Sequence, residues 1–212
     1  MNLFDATSII TNLGLAGVLG ILFTETGLLV GLFFPGDSLL FIAGVAASGT
    51  AAALFGGAHL SLTGLLIGAP IATIVGSQLG YYIGHRFGRP LFNRPEGRFF
   101  NQKRVQTTEK WLKKYGPARA IVLARYVPFV RTLINPLCGI VGVPAPTFFL
   151  WNVLGGILWS DGLILLGYIL GEKLKGSIDS YLLPVIMVII LLSLLPVTLE
   201  VIREIRTKRH LS

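Results

Sequence analysis

The sequence predicts an all-α integral membrane protein, with about three plain transmembrane helices and two opposed re-entrant helical hairpins arranged as in inverted-repeat transporters. Three observations carry this expectation: charge is scarce, the apolar stretches are long, and the basic residues gather in two places. Of 212 residues, 53% are hydrophobic and only 13% charged, where an ordinary soluble domain has about 25% charged residues. Mean hydropathy is +0.73. A soluble chain of this size would need a charged surface around one core, and there are too few charges to build one. The composition argues against a soluble enzyme, a disulfide scaffold and a disordered tail. The single cysteine, Cys138, excludes an internal disulfide and a cysteine-based zinc site.

The elements follow in chain order as one membrane domain, 1–212. No Lys or Arg precedes Arg86, so the basic leader of a cleavable signal peptide is missing. The first apolar stretch therefore reads as retained structure. Residues 9–47 are too long for one span and contain Glu25 and then Pro35-Gly36-Asp37. Pro-Gly breaks a helix, and lipid does not tolerate irregular backbone whereas a protein-lined cavity does. This segment reads as a first broken, re-entrant hairpin. Residues 61–84 carry no charge and give about 36 Å of helix, enough to span. Residues 86–117 form a basic loop with one or two surface helices, which Trp111, Leu112 and Tyr115 would seat in the interface. Over 86–119 ten basic residues face only Glu96 and Glu109, a net +8 equal to that of the whole chain.

Residues 118–142 are apolar overall but hold Arg125, Pro128, Arg131, Asn135, Pro136 and Gly139. Spans at 147–170, interrupted only by Asp161, and at 181–202 follow, then a basic tail at 203–212. If 118–142 crossed the membrane, the two basic clusters would lie on opposite sides, against the positive-inside rule. If it enters and returns on one side, residues 86–119 and the C-terminus are both cytoplasmic. The prolines and the Asn-Pro step agree with a broken helix. Two interrupted segments, each followed by plain spans, suggest the inverted repeat of a transporter in the cytoplasmic membrane. The basic charge thus belongs to membrane topology, and no nucleic-acid partner is expected.

Intramembrane charge costs about 2.5–3.5 kcal/mol per group on insertion scales. Glu25, Asp37, Arg125 and Arg131 unpaired would cost roughly 10–14 kcal/mol together, comparable with the roughly 5–15 kcal/mol that stabilises a domain. Two carboxylates and two guanidiniums sum to zero, so the simplest arrangement brings the two hairpin tips together. Static salt bridges joining the hairpins are one reading. The other is functional: arginines bind phosphate in a bidentate fork, and carboxylates deprived of their partners in a low dielectric tend to take up protons. Arg125 and Arg131 are then candidates for substrate binding, Glu25 and Asp37 for proton coupling. Pro35, Gly36 and Pro128 are the expected hairpin breaks.

Asp161 is a possible accessory acid or a cavity-facing residue. Asn152 is a possible accessory residue that would hydrogen-bond a broken hairpin. His59, His85 and His210 have no metal-ligand spacing, so neither a metal nor another cofactor is expected. Gly76, Gly80, Gly84 and Gly88 recur every four residues. Without a Lys-Ser/Thr pair or a preceding strand they are no phosphate loop, and in an apolar helix they form a smooth packing face. No Ser-His-Asp set or HExxH motif occurs, and the sequence predicts no enzyme.

Glu25 followed by Phe34-Pro35-Gly36-Asp37-Ser38-Leu39-Leu40 resembles the first signature of the DedA family, also called the VTT or SNARE-associated domain. Gly80-Tyr81-Tyr82-Ile83-Gly84-His85-Arg86-Phe87-Gly88 resembles its glycine-rich second signature, and Arg125-Tyr126-Val127-Pro128-Phe129-Val130-Arg131-Thr132 the third. Phe148, Asn152, Gly156 and Trp159 are similar to the pattern that follows. Two departures, His85-Arg86 for a Gly-Arg pair and Cys138-Gly139 for Ala-Gly, touch none of the four charges. The resemblance spans roughly residues 20–170. It implies translocation of undecaprenyl phosphate, or of phosphatidylethanolamine in some members, dependent on proton-motive force. By motif position it makes Glu25 and Asp37 the essential acids and Arg125 and Arg131 the essential arginines. A proton or cation antiporter, with the arginines as counter-ions, is the alternative from another class.

The topology is testable with single cysteines replacing Lys103, Gly176 and Lys208 in a Cys138→Ser background. An impermeant thiol reagent on intact cells should label position 176 and spare 103 and 208. Labelling at 208 but not at 176 would remove the re-entrant reading of 118–142.

Overall fold

The computed structural model describes residues 6–28, 36–48, 59–92, 102–127 and 130–173. Among these residues there are six helices and no strand: α1 (Ala6–Gly27), α2 (Gly36–Ala46), α3 (Leu62–Phe92), α4 (Gln102–Ala124), α5 (Val130–Val141) and α6 (Ala145–Lys173). Two are long and apolar enough to cross a membrane, α3 over Leu62–Gly88 and α6 over Ala145–Lys173. The apolar run read at 147–170 lies within α6, and that read at 61–84 lies within α3 except for Ser61. The span expected at 181–202 and the tail at 203–212 lie outside the described residues, as do Pro35 and Pro128.

Local chemistry sets the ends and bends of these helices. The Ser61 hydroxyl accepts the Gly64 amide at 3.2 Å, an N-cap for α3. That helix continues beyond the predicted limit at residue 84 to Phe92, because His85-Arg86 ends an apolar run without ending a helix. α1 bends at Gly14 (φ 56°) and α4 at Gly116 (φ 72°), just before Pro117. The basic stretch is thus largely helical: it continues α3 to residue 92 and resumes as the first part of α4. α5 closes on Gly142 (φ 80°). There the Val143 amide bonds the Cys138 carbonyl and the Gly142 amide bonds that of Gly139, the glycine-terminated Schellman pattern. Asn135-Pro136 departs from expectation. Read from sequence as suiting a broken helix, it lies inside α5; the preceding helix ends at Ala124 and α5 begins at Val130.

The packing has an exchanged pattern. α1 and α5 pack on α3, while α2 and α4 pack on α6, and α1 also meets α2 as α4 meets α5. Each long helix therefore carries one arm of each interrupted pair. Small residues permit the close approaches. A side chain on Gly84 would run into the backbone of Pro136, and one on Gly139 into that of Tyr81 and His85. On the other side, Gly167 faces the Phe41 carbonyl and Gly44 the backbone of Ile164. The predicted glycine stripe of α3 is this packing face: Gly76 meets Phe23 and Thr26 of α1, and Gly84 and Gly88 meet α5.

Two large apolar cores result among the described residues, beside a small one around Leu133 and Leu137. One joins Val18, Leu22, Leu40, Phe41, Leu65 and Ile164; the other joins Tyr81, Leu112, Ile121, Ile134 and Phe148. The outward faces are apolar as well. Ile67, Ile71 and Val75 lie exposed at helical spacing on α3, as do Leu150, Leu154 and Leu158 on α6. A soluble protein puts charge there; lipid accepts these side chains without penalty.

The glycine contacts generate a stability prediction. Gly84→Ala overpacks the α3–α5 contact and should cost about 1–3 kcal/mol, read as a lowered unfolding temperature of the purified protein. Gly162→Ala, where a new Cβ meets nothing within 4 Å, should leave that temperature unchanged. Equal effects would contradict the packing account.

Candidate functional site

The four charges expected in the apolar segments come from two junctions between helices, α1 to α2 and α4 to α5. Glu25 sits in the last turn of α1 and Asp37 in the first turn of α2. Arg125 follows the end of α4, and Arg131 lies in the first turn of α5. Helix ends leave backbone groups unpaired, so these places gather polar partners. Asp37 suits the positive N-terminal end of α2; Arg131, a cation at a helix N-terminus, needs compensation from elsewhere.

That compensation is an ion-pair triad. One terminal nitrogen of Arg131 bonds Asp37 Oδ1 and the other bonds Glu25 Oε1. Trp159 of α6 completes the setting. Its indole Nε1–H donates to the same Asp37 Oδ1 at 3.0 Å, and its ring lies 4.6 Å from the Arg131 guanidinium carbon, within cation–π range. Glu25 is 1% exposed and Asp37 25%. The second oxygen of Glu25, Oε2, is buried and accepts no hydrogen bond among the described residues. Gly36 makes room for this carboxylate, since any Cβ there would overlap it.

Asn135 secures the same junction. One turn after Arg131, and so on the same face of α5, its Nδ2 donates to the Thr26 carbonyl at 3.1 Å. That carbonyl is one of those left without an intrahelical partner at the end of α1. Two side chains of α5 thus hold the tip of α1, one by charge and one by capping.

Arg125 is placed differently from the expected pairing of two arginines with two acids. It is buried, and its terminal nitrogen donates to Asn152 Oδ1 and, at 3.1 Å, to the Ser77 hydroxyl. Among the described residues no carboxylate lies within ion-pair distance of it. Asn152 bridges two helices, because its Nδ2 also donates to the Ile74 carbonyl of α3 at 3.1 Å. Gly155 and Gly156 leave space for the Arg125 side chain, whose Cδ would lie 3.0 Å from a Cβ on Gly155. The structure therefore joins Glu25, Asp37 and Arg131 directly and sets Arg125 in a neutral polar cradle. Asp161 stays apart, half-buried on α6 and 3.5 Å from the Ser160 hydroxyl.

Sequence reasoning did not assign roles to Ser77, Asn135 and Trp159. Ser77 and Asn135 are single polar residues in apolar runs, where only a three-dimensional partner distinguishes a bridge from a self-satisfied side chain. Trp159 carried a signal, as a ring and N–H donor in an apolar run that also holds an acid, but its target, Asp37, lies on α2, far away in the chain.

Together, apolar outward faces, interrupted helices and buried charge at the interruptions define an integral membrane protein with a polar centre. The chain matches the VTT domain family over residues 34–169. It is similar to protein DedA of Escherichia coli, with 38% identity over 186 residues, 88% of this chain and 81% of that one. It is also similar to an uncharacterized membrane protein of Mycobacterium tuberculosis, 34% identical over 92% of this chain and 82% of the relative. A third, from Mycobacterium leprae, is 36% identical over 86% of this chain and 77% of the relative. No solved structure matches. The chain belongs to the DedA family of VTT-domain membrane proteins.

The Asn152 bridge makes a prediction. Asn152→Ala leaves buried Arg125 and the Ile74 carbonyl each short of a partner and should cost about 1–3 kcal/mol. Thermal unfolding in detergent measures it; an unchanged transition would mean that another group replaces the amide.

Proposed function

We propose that this protein is a transporter, not an enzyme, that moves a lipid phosphate across the cytoplasmic membrane with proton coupling. Undecaprenyl phosphate is the favoured cargo. The observation that carries the reading is the asymmetry of the two arginines. Arg131 has both ends of its fork held by carboxylates, whereas buried Arg125 has, among the described residues, neutral partners only, Ser77 and Asn152. A cation desolvated among neutral groups is a receptor for an anion. The phosphate of a lipid, its chain left in the bilayer, supplies that anion, and a guanidinium matches its oxygens in planar bidentate geometry.

The coupling follows from charge balance. At rest, two carboxylates offset two guanidiniums. A phosphate docking on Arg125 and drawing on Arg131 adds negative charge where water is scarce, and the cost falls when a carboxylate released from Arg131 binds a proton. Anion binding and proton uptake are then linked in both directions. Helix lengths support two opposed re-entrant hairpins as the moving parts. α2 and α5 give only about 16–18 Å of helix, well short of a hydrocarbon core of about 30 Å. The exchanged packing of the arms on α3 and α6 suits an inverted repeat, with the site between the halves. Phosphatidylethanolamine is the second reading, favoured by the partial exposure of Asp37, which offers a carboxylate to its amine.

Reconstituted liposomes carrying labelled lipids of several headgroups test this, with cation flux measured on the same vesicles. Flipping of polyprenyl phosphate is expected, without cation flux. Cation flux without flipping would establish the antiporter class instead. Arg125→Lys and Arg131→Lys should each slow flipping at least about tenfold despite unchanged charge and normal insertion, because lysine is a point donor. Wild-type rates in both would refute bidentate phosphate recognition.

A further inference from the structure

Resting on the lipid-phosphate reading, the geometry points to Trp159 as a positioning residue that locks Asp37 onto Arg131, so that the Arg131 fork opens only on its Glu25 side. The two acids are held unequally. Asp37 Oδ1 receives two donors, an Arg131 nitrogen and the Trp159 indole N–H at 3.0 Å. Among the described residues Glu25 is held through Oε1 alone, by the other Arg131 nitrogen, while its buried Oε2 accepts no hydrogen bond. The indole, 3% exposed, also covers the face of the guanidinium at 4.6 Å. Trp159 thus touches both members of one ion pair, and no such contact reinforces the other.

A hydrogen bond to a charged group is worth more than one between neutral groups, and removing one of two donors leaves the remainder to hold the ion alone. An anion competing for Arg131 therefore displaces the carboxylate with the fewer bonds. Glu25 is the acid that leaves the fork, and Asp37 travels with Arg131 and Trp159 as a unit. The rigid ring lies on α6, a long helix shared by both interrupted pairs, so this unit is anchored outside the hairpins. Gly36, whose missing side chain accommodates the paired Glu25 carboxylate, leaves no Cβ to hold that carboxylate against the fork. Glu25, Asp37 and Arg131 provide the charges; Trp159 makes the two acids unequal.

The indole reports on its own partner. Replacing Trp111 and Trp151 by Phe leaves Trp159 as the one tryptophan of three, in the purified full-length protein without added lipid. In that background Asp37→Asn should shift the emission maximum, because the charged acceptor at Nε1 is lost, and Glu25→Gln should leave it in place. A double-mutant cycle on thermal unfolding adds a second reading: Trp159→Phe should be non-additive with Asp37→Asn and additive with Glu25→Gln. Should Asp37→Asn fail to fold, Asp37→Glu, which keeps the charge but displaces the oxygen, takes its place in both arms. Equal responses to changes at 37 and 25, or no response to either, would overturn the proposal. As neither arm includes a cargo lipid, their failure is distinct from failure of the flipping assay, which alone bears on the lipid-phosphate reading.

Discussion

The structure depends on one constraint: a guanidinium in the interior of a membrane protein must find its charge partners within the fold. Arg131 finds them on α1 and α2, so the most costly group of one interrupted pair is stabilised by the other. Neither pair is self-sufficient. Separated, each would leave charge in a medium that solvates it poorly. Breaking a buried pair by removing one partner typically costs about 3–5 kcal/mol, mainly through the charge left behind. The triad therefore specifies which tips meet more strongly than its net contribution to stability would suggest. Asn135, capping the end of α1 from the same face of α5, adds a neutral contact with the same specificity.

Such a junction forms only if the surrounding helices come close. Lipid gives no hydrophobic reward for helix association, so contact area and small residues must do it. Glycines therefore sit where α5 meets α3 and where α2 meets α6, with backbone opposite them. The same economy of side chains serves the site: Gly36 beside Glu25, and Gly155 and Gly156 beside Arg125. Packing and chemistry are set by one choice, the placement of residues without a Cβ. The remaining surfaces of α3 and α6 carry Ile, Leu and Val outward, which fixes the medium in which the charges have their effect.

Much of this was legible in the sequence because membranes restrict what a sequence can do. A charge-free run of span length marked α3, a run with the single charge Asp161 marked α6, and a glycine every fourth residue marked the packing face of α3. Glu25, Asp37, Arg125 and Arg131 stood out since charge in an apolar run is rare. The rest depended on distances between segments far apart in the chain. Charge neutrality alone could not show that Arg131 takes both acids while Arg125 takes Asn152 and Ser77, since either pairing sums to zero. Pro136 misled because a proline signals strain, not its resolution; within α5 its backbone lies against Gly84. Helix ends misled for a related reason, since charge ended the apolar run at residue 84 while the helix went on to Phe92.

The central claim is that anion binding draws on an ion-paired cluster and is offset by a proton. Proton exchange on binding measures it most directly. Purified protein in weak buffer at neutral pH, mixed with polyprenyl phosphate in detergent, should take up roughly one proton per lipid bound after subtraction of the lipid's own phosphate ionisation. Its affinity should rise as pH falls, because protonation offsets the added negative charge. Binding that takes up no proton and is equally tight at every pH would contradict the account, and would leave Glu25 and Asp37 as fixed partners of Arg131.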